Sequence, residues 1–173
     1  MSEISSDTVS TGLQSCECTP QRTPLDIRDP HIHEERMVVS HPGDVPQGSS
    51  LTIEINTSSY TGLYYPWGQC TWFVYIRGKE VGVSFGEYMG NGGQWMNAPG
   101  YQTTHTPTEH SALSFSPRQA GADPTYGHIA FVEQVKSDGS ILISESNVKG
   151  LGVISYRTFD AETAKQFTYV IGK

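Results

Sequence analysis

The chain has 173 residues and a formal net charge of -7, enough for one domain with a genuine core and too few for two large ones. Its acidity argues against nucleic acid or an anionic membrane as the main partner. No apolar run approaches the roughly 20 residues that span a bilayer, so no membrane insertion of this chain is expected. The start MSEISSDTVSTGLQS lacks the basic end and apolar centre of a secretory signal, so action outside the cell calls for other means of export or a longer parent chain.

Residues 1–58 are dominated by Ser, Thr, Pro, Asp and His with little apolar periodicity, and are expected to be flexible or weakly structured, with a strand or two at most within MVVSHPGDVPQGSSLTIEI. Cys16 and Cys18 lie there, one residue apart, so a bridge between them would be strained, and a bridge from either to Cys70 would consume that thiol. Cys16, Cys18, His31 and His33 are ligand types that zinc accepts, but C-x-C with H-x-H is not a common zinc spacing. No metal or other cofactor is expected.

From Tyr60 onward the composition changes, with all three Trp and the long apolar runs, and the folded domain is placed at 59–173. YYPWGQCTWFVYIRG sets Cys70 behind a turn and ahead of residues that suit a strand or a helix buried on most sides. If Gln69 to Arg77 is helical, Cys70 lies in the first turn, where the dipole and free amides favour thiolate. GVSFGEYMGNGGQWMNAPGY brings glycine turns and Trp95, a residue that either packs or lines a substrate groove beside Gly90-Asn91-Gly92-Gly93, where backbone can approach a ligand closely. SALSFS reads as a strand, and HIAFVEQV and ILISESN, joined by KSDGS, read as an antiparallel hairpin. GVISYRTF and FTYVIGK add further strands. One early helix followed by antiparallel strands predicts an α+β domain. His105 and His110, in a Thr/Pro-rich loop, are expected to be solvated.

Strand side chains alternate between faces. His128 therefore shares a face with Ala130 and Val132, and Glu145 shares one with Ile143 and Asn147. One register sets His128 opposite Glu145 with a loop of about four residues or more, another sets it opposite Asn147, and the tightest turn, centred on Asp138-Gly139, leaves Glu145 too far along for contact. In the first two, a carboxylate or a carboxamide can face the imidazole. A histidine that takes the proton of Cys70, with Glu145 or Asn147 on its other ring nitrogen, is what thiol catalysis requires.

YPWGQCTWFVY, GNGGQW, YGHIAFVE and DGSILISESN, in that order, resemble the CHAP domains (cysteine, histidine-dependent amidohydrolases/peptidases) of bacterial and phage cell-wall hydrolases, over roughly Tyr64 to Lys173. VKGLGVISYRTF looks most like members from conjugation-associated wall hydrolases. The resemblance implies a papain-like fold with helices packed on an antiparallel sheet, and a helix beginning at the cysteine. It implies cleavage of peptidoglycan amide bonds, in stem peptides and cross-bridges or between N-acetylmuramic acid and L-alanine. By motif match Cys70 is the nucleophile, His128 the base, Glu145 the orienting acid and Asn147 an auxiliary polar group, while Gln69 joins the Cys70 amide at the oxyanion site by analogy to thiol proteases. The implied partner is peptidoglycan at the cell wall or outside the cell, with other domains or a secretion or conjugation machinery delivering the enzyme. Two departures stand out: the strand before the histidine reads SALSF rather than opening on Gly-Asp or Gly-Ala, and Tyr60 to Gly78 contains no Asp or Glu for the calcium site of some phage members. Two rivals remain: an NlpC-type peptidase, whose third member is typically a second histidine, and a noncatalytic wall-binding module in which the thiol is idle.

Overall fold

The computed structural model of the chain describes residues 45–173. Cys16, Cys18, His31, His33 and most of the expected weakly structured lead-in lie outside the described residues. Residues 45–57 contain no strand, yet this stretch is not peripheral: Ile55 and Thr57 are buried, and the Ile53 carbonyl accepts a 2.6 Å bond from Arg77.

The ambiguous run after the turn is helix α1, Cys70–Glu80. Cys70, Thr71, Trp72, Phe73, Val74, Tyr75, Arg77 and Gly78 are all buried in it, which explains why no amphipathic stripe was visible: a helix covered on most sides has no polar face to reveal its period. Six antiparallel strands follow, β1 Gln102–Thr104, β2 Ala112–Phe115, β3 His128–Val135, β4 Ile141–Ser146, β5 Ile154–Phe159 and β6 Thr168–Ile171, with a short helix α2, Ala161–Ala164, before the last. The sheet order is β1-β6-β2-β3-β4-β5. One face, through Ala112, Ile129, Phe131 and Val170, packs against α1 and Trp95. The other, through Leu113, Phe115, Ala130, Val132, Ile141, Ile143 and Tyr169, is covered by Ala164 and Phe167. Helices packed on one antiparallel sheet make this an α+β domain.

The β3–β4 hairpin departs from a simple ladder. Its turn has Gly139 at φ +85°, with the Gly139 amide on the Lys136 carbonyl and the Lys136 amide on the Ser140 carbonyl, both at 2.8 Å. This is a three-residue loop needing glycine in the left-handed region, rather than the tightest turn. Next to the turn Val135 pairs with Ile141 and Gln134 with Leu142, but beyond it Val132 pairs with Ile143 and Phe131 with Ser144. The register thus slips by one residue at a bulge on Glu133. Because side chains alternate, one residue decides everything upstream. Carried on unbroken, the turn-side register would set Phe131 opposite Glu145 and send that carboxylate to the face opposite His128. With the bulge, continuing the ladder sets His128 against Asn147 and keeps Glu145 on its face.

Glu133 is held where it bulges. Its oxygens accept from Arg77 Nε and Nη2, both at 2.9 Å, and from Ser144 Oγ at 2.5 Å, all in the interior. Arg77 also donates to Glu80 at 2.7 Å. A charge buried this deeply is tolerated only when paired and hydrogen-bonded on all sides.

Candidate active site

Cys70 is the first residue of α1, with no exposed surface, and it keeps its thiol rather than entering a disulfide. Gln69 precedes it as the extended N-cap without a side-chain capping bond, and the first helical turn carries no acid. The amides of that turn and the helix dipole therefore favour negative charge at this end of α1.

Two bonds clamp this helix start onto the end of β4. Ser146 Oγ donates to the Gly68 carbonyl at 2.8 Å, and Asn147 Nδ2 donates to Gln69 Oε1 at 2.9 Å. Asn147 reaches this position in a left-handed conformation, φ 67°, one residue past the strand. Its carboxamide is thereby spent on Gln69, not on the histidine. With Gln69 Oε1 occupied, no partner among the described residues takes its Nε2 hydrogens, the donors an oxyanion site would use.

His128 opens β3, 2% exposed. Its Nε2 lies 2.9 Å from Glu145 Oε2, a diagonal contact across the two strands. Its Nδ1 is buried with no hydrogen-bond partner, so one ring nitrogen is oriented and the other is uncommitted. The Phe115 ring flanks the imidazole, centroids 5.4 Å apart. The glycine loop supports the backbone underneath: a Cβ on Gly92 would lie 2.5 Å from the His128 carbonyl carbon, the Gly92 carbonyl accepts from Ser114 Oγ at 2.7 Å, and the Gly93 amide donates to Tyr126 at 2.9 Å. The close approach predicted for this loop is therefore made to the strand bearing the histidine.

Glu145 is fully buried. Burial by itself pushes its carboxyl up, but the hydrogen bonds and charges of His128 and Arg157 outweigh it and hold the group below the usual carboxylate range. Arg157, on β5, is the residue sequence reasoning missed. It donates from Nε to Glu145 Oε1 at 2.7 Å and from Nη2 to Oε2 at 2.8 Å. The only signal for it lay in strand parity, since Arg157 pairs with Ile143 and so shares the face of Glu145.

Trp95 requires a correction. It is completely buried, packed against Tyr65 and Phe85 at 5.7 and 5.4 Å between centroids, with its Nε1 donating to the Gly90 carbonyl at 3.3 Å. A ring with no exposed face cannot be a substrate platform. The six-residue 3-10 turn Gly92–Asn97 directs it inward as core. The two loop histidines are more engaged than expected: His105 Nδ1 bonds the Phe167 carbonyl at 2.8 Å, and His110 bonds Thr52 Oγ1 at 3.0 Å and stacks on Phe131.

A family model described as the CHAP domain matches residues 60–147. An N-acetylmuramoyl-L-alanine amidase domain-containing protein of Staphylococcus aureus is 54% identical over 112 residues, covering 63% of this chain and 18% of the relative. The staphylococcal secretory antigen SsaA of Staphylococcus epidermidis is 40% identical over 129 residues, covering 72% and 46%. Among solved structures, a crystal structure of N-acetylmuramoyl-L-alanine amidase from Staphylococcus aureus superposes with a TM-score of 0.67 at 44% identity, covering 80% of this chain and 39% of that one. The chain thus spans less than half the length of each of these relatives.

Proposed function

The chain belongs to the CHAP domain family, and from that premise we propose that it is a peptidoglycan hydrolase that cleaves amide bonds through a Cys70 nucleophile. The observation that carries this reading is the histidine with one nitrogen on a buried carboxylate and the other uncommitted, on a strand pair bonded to the helix start that bears the only cysteine among the described residues. In this reading Cys70 Sγ and His128 Nδ1 share a proton at the end of the sheet. The thiolate attacks the carbonyl carbon, and the Gln69 carboxamide and the Cys70 amide receive the developing oxyanion. His128 Nδ1 then gives its proton to the departing amine nitrogen as the C–N bond breaks, leaving an acyl-thioenzyme. Water, losing a proton to Nδ1, attacks the thioester and releases the carboxylic acid and the thiol. Glu145 stays ionised and stabilises the imidazolium. The partner of His128 here is a carboxylate rather than the second histidine of an NlpC-type site.

The names of the relatives favour the bond between N-acetylmuramic acid and L-alanine over cross-bridge cleavage, and the secretory antigen among them supports action at the wall or outside the cell. The test is digestion of purified peptidoglycan, with mass spectrometry of the products. New amino groups should appear, released L-alanine termini should identify an amidase, and Cys70→Ala should be inert. Wild-type activity in Cys70→Ala would end the proposal. Iodoacetamide at neutral pH separates an idle thiol from a nucleophile: Cys70 should react faster than Cys16 or Cys18, and His128→Ala should slow it.

A further inference from the structure

The positions of Glu145 and Arg157 carry a further inference, which rests on the catalytic reading above. We propose that Arg157 is a positioning residue of the active site, whose guanidinium fork fixes the Glu145 carboxylate so that Oε2 stays turned to His128 through the whole reaction. The geometry is specific. Oε2 accepts from both His128 Nε2 and Arg157 Nη2, while Oε1 takes Arg157 Nε. The third donor, Nη1, reaches the Ala120 carbonyl at 2.8 Å, and the guanidinium lies over the neighbouring rings of Phe115 and Phe159, 5.2 and 5.3 Å from their centroids. Phe115 also flanks His128, so one ring braces both partners of the carboxylate.

The reason for such a fork lies in the reaction. The imidazole alternates between neutral and protonated, and a buried carboxylate whose only partner is a neutral histidine is driven to take up a proton itself. A permanently charged arginine keeps Glu145 an acceptor at both stages. His128 on β3 and Arg157 on β5 are the titratable or charged groups bonded to this carboxylate from the strands on either side of β4. A lysine would supply the charge but a single point of attachment, without the planar match.

The experiment compares Arg157→Met and Arg157→Lys, each alone and combined with Glu145→Gln, using a soluble muropeptide, with thermal unfolding followed in parallel. Arg157→Met should lower kcat roughly 10- to 100-fold through misorientation, with KM nearly unchanged. It should also move the acid limb of the kcat/KM profile to higher pH. Arg157→Lys should restore the position of that limb but only part of kcat. In the Glu145→Gln background Arg157→Met should have almost no further effect. Wild-type kcat with an unmoved acid limb in folded Arg157→Met, or losses that simply add in the double variant, would overturn the inference. If the methionine variant does not fold, the lysine variant decides alone: folded with wild-type kcat, it refutes the fork. A silent Glu145→Gln sinks the catalytic reading itself, whereas a large loss there beside a silent Arg157 variant sinks only this inference.

Discussion

The central hairpin buries two glutamates, Glu133 on β3 and Glu145 on β4, and each is gripped by an arginine through both oxygens. Their remaining partners separate them. Glu133 takes its last bond from a serine hydroxyl, and its arginine is itself fully buried and tied to Glu80 and Ile53, so every partner has a fixed charge and a fixed place. Glu145 instead shares one oxygen with a histidine whose second nitrogen is uncommitted, and the Arg157 side chain is 29% exposed. Burial and charge pairing alone do not mark a catalytic carboxylate. What sets Glu145 apart is a neighbour that can change its protonation and still has a nitrogen to use.

The sharpest way to break this comparison is to remove one charge at each position. Glu145→Gln should cost roughly a thousandfold or more in kcat/KM, because the tautomer and the stabilised imidazolium are lost together, and should leave most of the stability in place. Retained activity in peptidoglycan clearing would erase the distinction. Glu133→Ala should do the reverse. Urea unfolding should show a loss of about 3 kcal/mol, since Arg77 stays buried after losing its fully buried partner and keeps only Glu80 as an acidic neighbour, while the folded fraction keeps far more activity than Glu145→Gln does. Equal kinetic damage at both sites would show that the Glu133 pair also acts on the chemistry.

A smaller effect sharpens the contrast through pH. Glu145 is held below the usual carboxylate range, so its unfolded form binds protons first as the pH falls. The stability it contributes is fully present above the ordinary glutamate value of about 4.3 and is lost as pH drops through the depressed folded value. The stability gap between the wild type and Glu145→Gln, followed by thermal unfolding from neutral to acid pH, should therefore hold steady and then close below that range. A gap that widens on acidification would reverse the sign. The smallest effect is expected at an exposed carboxylate: Asp160 caps α2 by accepting from the Thr163 amide at 2.8 Å, and Asp160→Ala should lower the unfolding midpoint least of the three and leave the kinetics unchanged.

Much of this was legible in the order of residues because it is local. The turn ahead of Cys70, the alternation in HIAFVEQV and ILISESN and the closing strands are short-range patterns, and β3 runs over the very eight residues so read. Trp95 stayed open between packing and groove because a Gly-rich flank signals close backbone approach without saying to what. The loop approaches His128 and its tryptophan turns into the core. Arg157 escaped notice because nothing near it in the chain reveals its partner, a carboxylate 12 positions away on the neighbouring strand.

Alternation follows from neighbouring residues and told which side chains share a strand face, whereas the run after Cys70 suited strand and helix alike, and its burial on most sides in the fold is what makes it α1. Which rungs oppose one another is fixed by contacts far apart in the chain. A single bulge at Glu133, held by Arg77 from 56 positions away, turns Glu145 toward His128 rather than to the opposite face. A hairpin's register depends on long-range partners able to stabilise one extra residue in one strand, and no local pattern encodes those.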